Sequence, residues 1–163
     1  MATADLGGES LACTTEFHRV DTGLLASEEP DSPAVFSELF TVSAQSVAET
    51  AQALAVAAGS VAASAEALRG ASTRPSTVIS AQPGQLFRNL ALPPAITTRH
   101  ALLAEPHVWQ EGVPRYVEPG RLTVMLQLLL LTDDELNYAV TYGVGALQQA
   151  LVDEGVNLLD WRR

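Results

Sequence analysis

Apolar residues run almost unbroken from Leu122 to Leu131, with only Thr123 and Gln127 intervening, and these two share one alternating face. A segment apolar on both faces is expected of a central strand covered on both sides. Directly after it, Thr132 and Glu135 have the spacing of a capping box, in which each side chain satisfies an otherwise orphaned backbone N–H. The helix this opens carries Leu136, Val140, Val144, Leu147 and Leu151 along one stripe. Gly143 and Gly145 predict a break within it, followed by a second helix to about Glu154 that Gly155 ends. Val156 to Leu159 then reads as a short final strand. Upstream, His100 to Ala104 is a strand closed by Pro106, and Val113 to Gly120, with two prolines, is a loop or irregular edge.

The first half is less regular. Residues 1–13 read as a flexible lead-in. Glu16 to Leu25 alternates loosely, with Phe17, Val20 and Leu24 apolar, and predicts a strand. Ser32-Pro33 has the form of an N-cap followed by proline at the first helical position. Val35, Leu39, Val42 and Phe36, Phe40, Val47 then follow helical spacings, which predicts a long helix from Ala34 to about Ala58. Gly59 either ends that helix, leaving a second one over Val61 to Leu68, or lies within a continuous Ala-rich helix. Ala71 to Ser76 is a linker, Thr77 to Ser80 a short strand, and Pro83-Gly84 a turn. The order of elements is that of an α+β domain, with flanking helices on a mixed β-sheet.

At 163 residues, 47% apolar and 17% charged, the chain falls in the range of one folded domain. No apolar stretch reads as long enough to span a bilayer, because Gln45, Glu49, Gln52 and Glu66 punctuate the Ala-rich segment. Residues 1–8 lack a basic start, so they do not read as a secretory signal, and a cytoplasmic location is expected. Net charge is −10, from 19 acidic residues and nine basic ones, all of them Arg. That balance argues against nucleic acid or an anionic membrane as partner and allows a basic polypeptide. A single cysteine, Cys13, excludes an internal disulfide and reads as a small, partly buried thiol.

Chemistry is sparse. His100 and His107, seven residues apart, flank a strand and do not form a helical ligand pair, so neither a metal nor another cofactor is expected. His100 reads as satisfying the strand end. Glu105, His107 and Trp109 occupy a loop after a strand, a place where binding residues often lie. Asp133, Asp134 and Glu135 read as helix-start carboxylates favoured by the dipole. Asp160 with Arg162 and Arg163 reads as a solvated ion pair or anion contact. No motif for nucleophilic catalysis or phosphate binding occurs, and the lack of Lys removes lysine chemistry.

Taken in order, several pieces resemble the suppressor-of-fused domain. They are His100-Ala101-Leu102-Leu103-Ala104-Glu105-Pro106, Met125-Leu126-Gln127-Leu128 and Thr132-Asp133-Asp134-Glu135-Leu136. After these come Gly143 or Gly145, Ala146-Leu147, and Leu158-Leu159-Asp160-Trp161-Arg162-Arg163. The resemblance is good over about residues 80–163 and weaker over Glu16 to Ala55. Leu130 stands where many bacterial members carry Pro. Val56 to Thr73 has the look of an Ala-rich helical insertion in a domain spanning 14–163. The resemblance implies a suppressor-of-fused-like single domain, non-enzymatic, that sequesters or neutralises a partner protein in the manner of an immunity protein facing a toxin. On that reading Glu105, His107, Trp109, Asp160 and Arg162 are the candidate binding residues. Two other classes stand beside it. One is an assembly subunit packing through the Ala-rich helix 44–68, and the other a small enzyme with a pocket at His100, Glu105, His107 and Trp109.

Overall fold

The computed structural model describes residues 1–70, 79–106 and 113–163. Its frame is one mixed sheet built around two long parallel strands, β4 (Ala34–Ser43) and β8 (Arg121–Leu131). Each has an outer edge shared by two short antiparallel strands. β2 (Ser10–Cys13) and β3 (Leu24–Leu25) pair with the two ends of β4. β6 (His100–Ala104) and β7 (Arg115–Glu118) pair with the two ends of β8. β1 (Ala2–Asp5) extends the sheet beyond β2, and β5 (Leu86–Phe87) beyond β6. With α1 (Val47–Gly70), α2 (Asp133–Tyr142) and α3 (Val144–Asp153), the chain is an α+β fold with helices on a mixed sheet.

Ala34–Ser43 is the main departure from expectation, a strand where the spacing predicted a helix. Its sequence fits both periods, but Val, Phe and Thr suit a pleated, half-buried surface. As a strand it sends Ser37, Leu39, Thr41 and Ser43 to one face and Phe36, Glu38, Phe40 and Val42 to the other. The first set is buried, and its hydroxyls are satisfied. Thr41 Oγ1 donates to Leu128 O at 2.8 Å, and Ser43 Oγ meets Thr50 Oγ1 at 2.7 Å.

The helix begins later, at Val47, behind a capping box formed by Ser46 and Glu49: Ser46 N donates to Glu49 Oε2 at 3.2 Å and Glu49 N to Ser46 Oγ at 3.3 Å. α1 runs through Gly59 without a break. Thr50, Ala53, Leu54, Ala57, Val61 and Ala65 form its buried stripe. The part of the expected insertion within 56–70 is therefore core-forming helix, while 71–73 lies outside the described residues. α1 is also long and apolar enough to cross a membrane by length and composition alone, contrary to expectation, because its few charges sit near its ends. Only 28% of that apolar window is buried.

Other expectations are corrected in smaller ways. Residues 1–13 are not a lead-in but the β1–β2 hairpin. Glu16 to Leu25 yields a single 3-10 turn, Phe17–Arg19, and the two-residue β3. Within 113–120, Arg115–Glu118 forms β7, a hairpin with β8 turned by Gly120 at φ +73°. Val156 to Leu159 forms no strand. Ala44 N still donates to Leu159 O at 2.8 Å, tying the segment to the end of β4. Of the strand expected over Thr77 to Ser80, Ile79 and Ser80 are not extended pairs, and the rest lies outside the described residues. The strand His100–Ala104, the Pro83-Gly84 turn, the Thr132 capping box and the break at Gly143 stand as expected.

The core has two parts. On one sheet face, α1 packs Ala53, Leu54, Ala57 and Val61 against Ala12, Leu39, Leu103, Leu126 and Leu128, with Phe87, Ile96 and Trp161 completing the cluster. On the other, α2 and α3 bring Ala139, Leu147 and Leu151 onto Leu102, Ala104 and Leu131. This second cover, among the described residues, reaches β6 and only the end of β8.

Candidate functional site

The five residues picked from the sequence do not converge. His107 and Trp109 lie outside the described residues. Glu105 follows β6 and is exposed, on the rim of a cavity of about 470 Å³ lined by Leu24, Val35, Pro83, Leu122 and Leu126. Asp160 and Arg162 sit beyond the opposite end of β6, where Thr97 N donates to Trp161 O at 3.1 Å. A five-residue strand of roughly 17 Å separates the two groups.

Asp160, Arg162 and their neighbours hold the fold together. Arg162 N donates to Asp160 Oδ1 at 2.9 Å, and Arg162 Nη2 to Glu49 Oε1 on the first turn of α1 at 3.0 Å. Arg163, expected to be solvated, is largely buried. Its guanidinium grips Glu135 at 3.1 and 2.9 Å and donates to Leu130 O at 2.8 Å. Trp161, 1% exposed, fills the core between these clasps.

His100 is satisfied in place, as expected. Asn89 N donates to its Nδ1 at 3.1 Å, which leaves the proton on Nε2 to donate to Asp133 Oδ1 at 2.7 Å. Both ring nitrogens are engaged, so this histidine ties β6 to the start of α2.

Two features escaped the sequence reading. The first is a hub at Glu38. Thr14 Oγ1, Phe17 N, His18 N and His18 Nδ1 all bond its carboxylate. Burial pushes this carboxyl up, but the hydrogen bonds outweigh it and hold the group below the usual carboxylate value. Arg121 closes the far side, its guanidinium 4.0 Å over the Phe36 ring and its Nη2 donating to His18 O. Cys13 lies nearby, its thiol pushed up by burial and then by the Glu38 charge, the reverse of an activated nucleophile. No short motif marks this hub, because Thr14, His18, Glu38 and Arg121 meet only through the pairing of β2, β4 and β8.

The second is the part of the sheet face that α2 and α3 do not reach. Leu11 and Cys13 of β2, Phe40 and Val42 of β4, and Met125 and Gln127 of β8 floor a groove of about 600 Å³. Leu6 and Glu9 of the β1–β2 turn wall one side, and Leu159 joins the lining. Phe40 is 4% exposed at its base, and Leu6, 55% exposed, stands at its rim. Among the described residues, Glu9 is the charged side chain in its lining. The alternation of Phe36, Glu38, Phe40 and Val42 was a sequence signal for this face, hidden once Ala34–Ser43 was read as a helix.

No protein-family model matches this chain, and a search of curated proteins finds no match.

Proposed function

We propose that the chain is a non-enzymatic, suppressor-of-fused-like binding domain that acts in the cytoplasm by sequestering or neutralising a partner protein. The observation that supports this reading most is the apolar groove over β2, β4 and β8, a sheet face that the chain's own described helices leave uncovered. Contiguous apolar surface of this kind marks interaction sites more often than scattered exposed residues do. The net charge of −10 favours a basic partner, since complementary charge speeds association. A toxin neutralised by covering its active surface fits the immunity-protein form of the reading. Co-expression of the chain with the polypeptides encoded beside it tests this. The expected result is a stoichiometric complex that suppresses the partner's activity, and recovery of the chain alone would sink the reading.

A second reading, an assembly subunit, draws on one observation. The outer side of α1 presents Ala48, Ala55, Gly59 and Ala63, all exposed and small enough for close helix packing. Light scattering at high concentration decides it, and a monomer removes it.

A further inference from the structure

The sheet ends in two very different strands. β5 has two residues, Leu86 and Phe87, whereas β1 at the other end has four, Ala2–Asp5. In an antiparallel pair every second residue exchanges backbone bonds with its partner, and the residues between turn their N–H and C=O away. Two bonds fix this phase for β1. Leu6 N donates to Glu9 O at 2.7 Å across the hairpin turn, and Thr14 N donates to Leu39 O at 2.8 Å on the other side of β2. Along both registers the result is the same: Ala2 and Ala4 bond inward to Cys13 and Leu11, while Thr3 and Asp5 turn their backbone groups outward. Thr3 and Asp5 are exposed, and among the described residues no strand pairs with that edge.

Free edges are commonly blunted by Pro, Lys, a bulge or a covering element. From Ala2 to Cys13 there is neither Pro nor Lys, and the β1–β2 register runs without a bulge. The carboxylate on the strand, Asp5, accepts from Gly7 N at 2.9 Å.

These groups define their ligand. Two outward donors and two outward acceptors at alternate positions match an extended chain, whose main-chain bonds supply affinity and whose alternate side chains supply specificity. Thr3 lies opposite Ala12, which is buried beneath α1, so Thr3 and Asp5 share the α1 face of the sheet. The hairpin carries Asp5 and Glu9 and no basic residue, within a chain of net charge −10. Opposite charges directly across a ladder are favourable and like charges are not. The same charge disfavours a second copy, which would bring the carboxylates of two hairpins to one seam.

We infer that the outer edge of β1 is a docking site for an extended, basic segment of a partner protein, which joins the sheet as a further strand through the backbone of Thr3 and Asp5 and sets a lysine or arginine against Asp5. The inference rests on the protein-binding reading above and gives it a surface and a ligand.

The probe is a synthetic peptide of about eight residues, twice the length of β1, alternating threonine and lysine. A fully N-methylated form, which keeps the side chains and loses the main-chain donors, and a threonine/glutamate version serve as controls. The full chain should bind the threonine/lysine peptide, and both controls at least about tenfold more weakly. Hydrogen exchange followed by NMR should slow at the Thr3 and Asp5 amides and stay unchanged at Ala2 and Ala4. Thr3→Pro removes an N–H that the fold does not use, at an edge position that tolerates proline. It should weaken binding about tenfold or more, with folding checked by melting. Asp5→Lys should weaken binding of the lysine peptide about threefold and strengthen that of the glutamate version.

Equal binding of the N-methylated peptide, unchanged binding by folded Thr3→Pro, or slowed exchange elsewhere than Thr3 and Asp5 overturns the inference. Should Thr3→Pro fail to fold, an unchanged preference for lysine over glutamate in Asp5→Lys overturns it. So does concentration-dependent self-association that Thr3→Pro abolishes, since it names a second copy as the occupant. If Thr3→Pro captures the natural partner at full strength, the edge assignment falls and the binding function stands. If no partner is captured while the peptide binds wild type and not Thr3→Pro, the function falls and the edge stands.

Discussion

The two faces of the sheet are built from the same strands yet completed differently. On the α1 face, the side chains of β2, β4, β6 and β8 meet a 24-residue helix and the Trp161 segment, and Leu39, Leu54, Leu103 and Leu128 are at most 1% exposed. Even its hydroxyls, on Thr41, Ser43 and Thr50, have partners. On the opposite face, α2 and α3 seal Leu102 and Leu131, and their cover stops short of Val42 and Met125. The first face is closed by a long helix, whereas the described helices cover only part of the second. Among the described residues, burial is thus divided unequally between the two sides of one sheet.

That division is broken or sharpened by substitution, and the largest effect belongs to the closed face. Trp161→Ala should cost about 3–5 kcal/mol in denaturant unfolding, through lost burial and the cavity left behind. Next, Leu128→Ala should cost about 2–5 kcal/mol, whereas Met125→Ala, three residues earlier on the other face, should cost under about 1 kcal/mol. Equal losses at Leu128 and Met125 would mean that the second face is as fully covered as the first. Arg163→Met removes charged hydrogen bonds to Glu135 and Leu130 O and should cost about 2 kcal/mol. Thr132→Ala, which deletes one half of the α2 capping box, should cost about 1 kcal/mol.

The mildest test is pH. The folded Glu38 carboxyl sits below its ordinary value of 4.5, so its contribution is fully present above that pH and is lost as pH falls through the folded value. Glu38→Gln should therefore flatten the acid limb of the thermal-melting profile below about pH 4.5 while leaving its shape at neutral pH unchanged. A parallel acid limb in both proteins would show that the hub carries no pH-linked stability.

Legibility followed locality. The α2 start was readable because Thr132 and Glu135 bond within three residues, and the break because Gly143 adopts φ +92° with no help from elsewhere. β8 was readable because ten apolar-rich residues have few alternatives. Ser46 and Glu49 offered the same capping signal for α1, yet the more prominent Ser32-Pro33 drew the N-cap fourteen residues too early, to Ser32 instead of Ser46. Val35, Leu39 and Val42 satisfy a helical and an extended pattern alike, so the local code was degenerate there. Among the candidate site residues, Glu105 was correctly placed after a strand. The clasping roles of Asp160, Arg162 and Arg163 depend on partners far away in sequence, at Glu49, Leu130 and Glu135.

By itself, then, the sequence determined the α+β class, the strands over His100–Ala104 and Leu122–Leu131, the two C-terminal helices and their caps, and the net acidity of the chain. These are matters of hydrophobic period, turn chemistry and charge, which act over a few residues. Only the tertiary structure decided that Ala34–Ser43 is extended, because its parallel pairing with β8 supplies backbone bonds to a segment with no local preference. It alone decided that Thr14, His18 and Glu38 meet, and that the described helices cover one sheet face more fully than the other. Those outcomes depend on which surfaces the helices cover, a competition over the whole chain that no short stretch of residues contains.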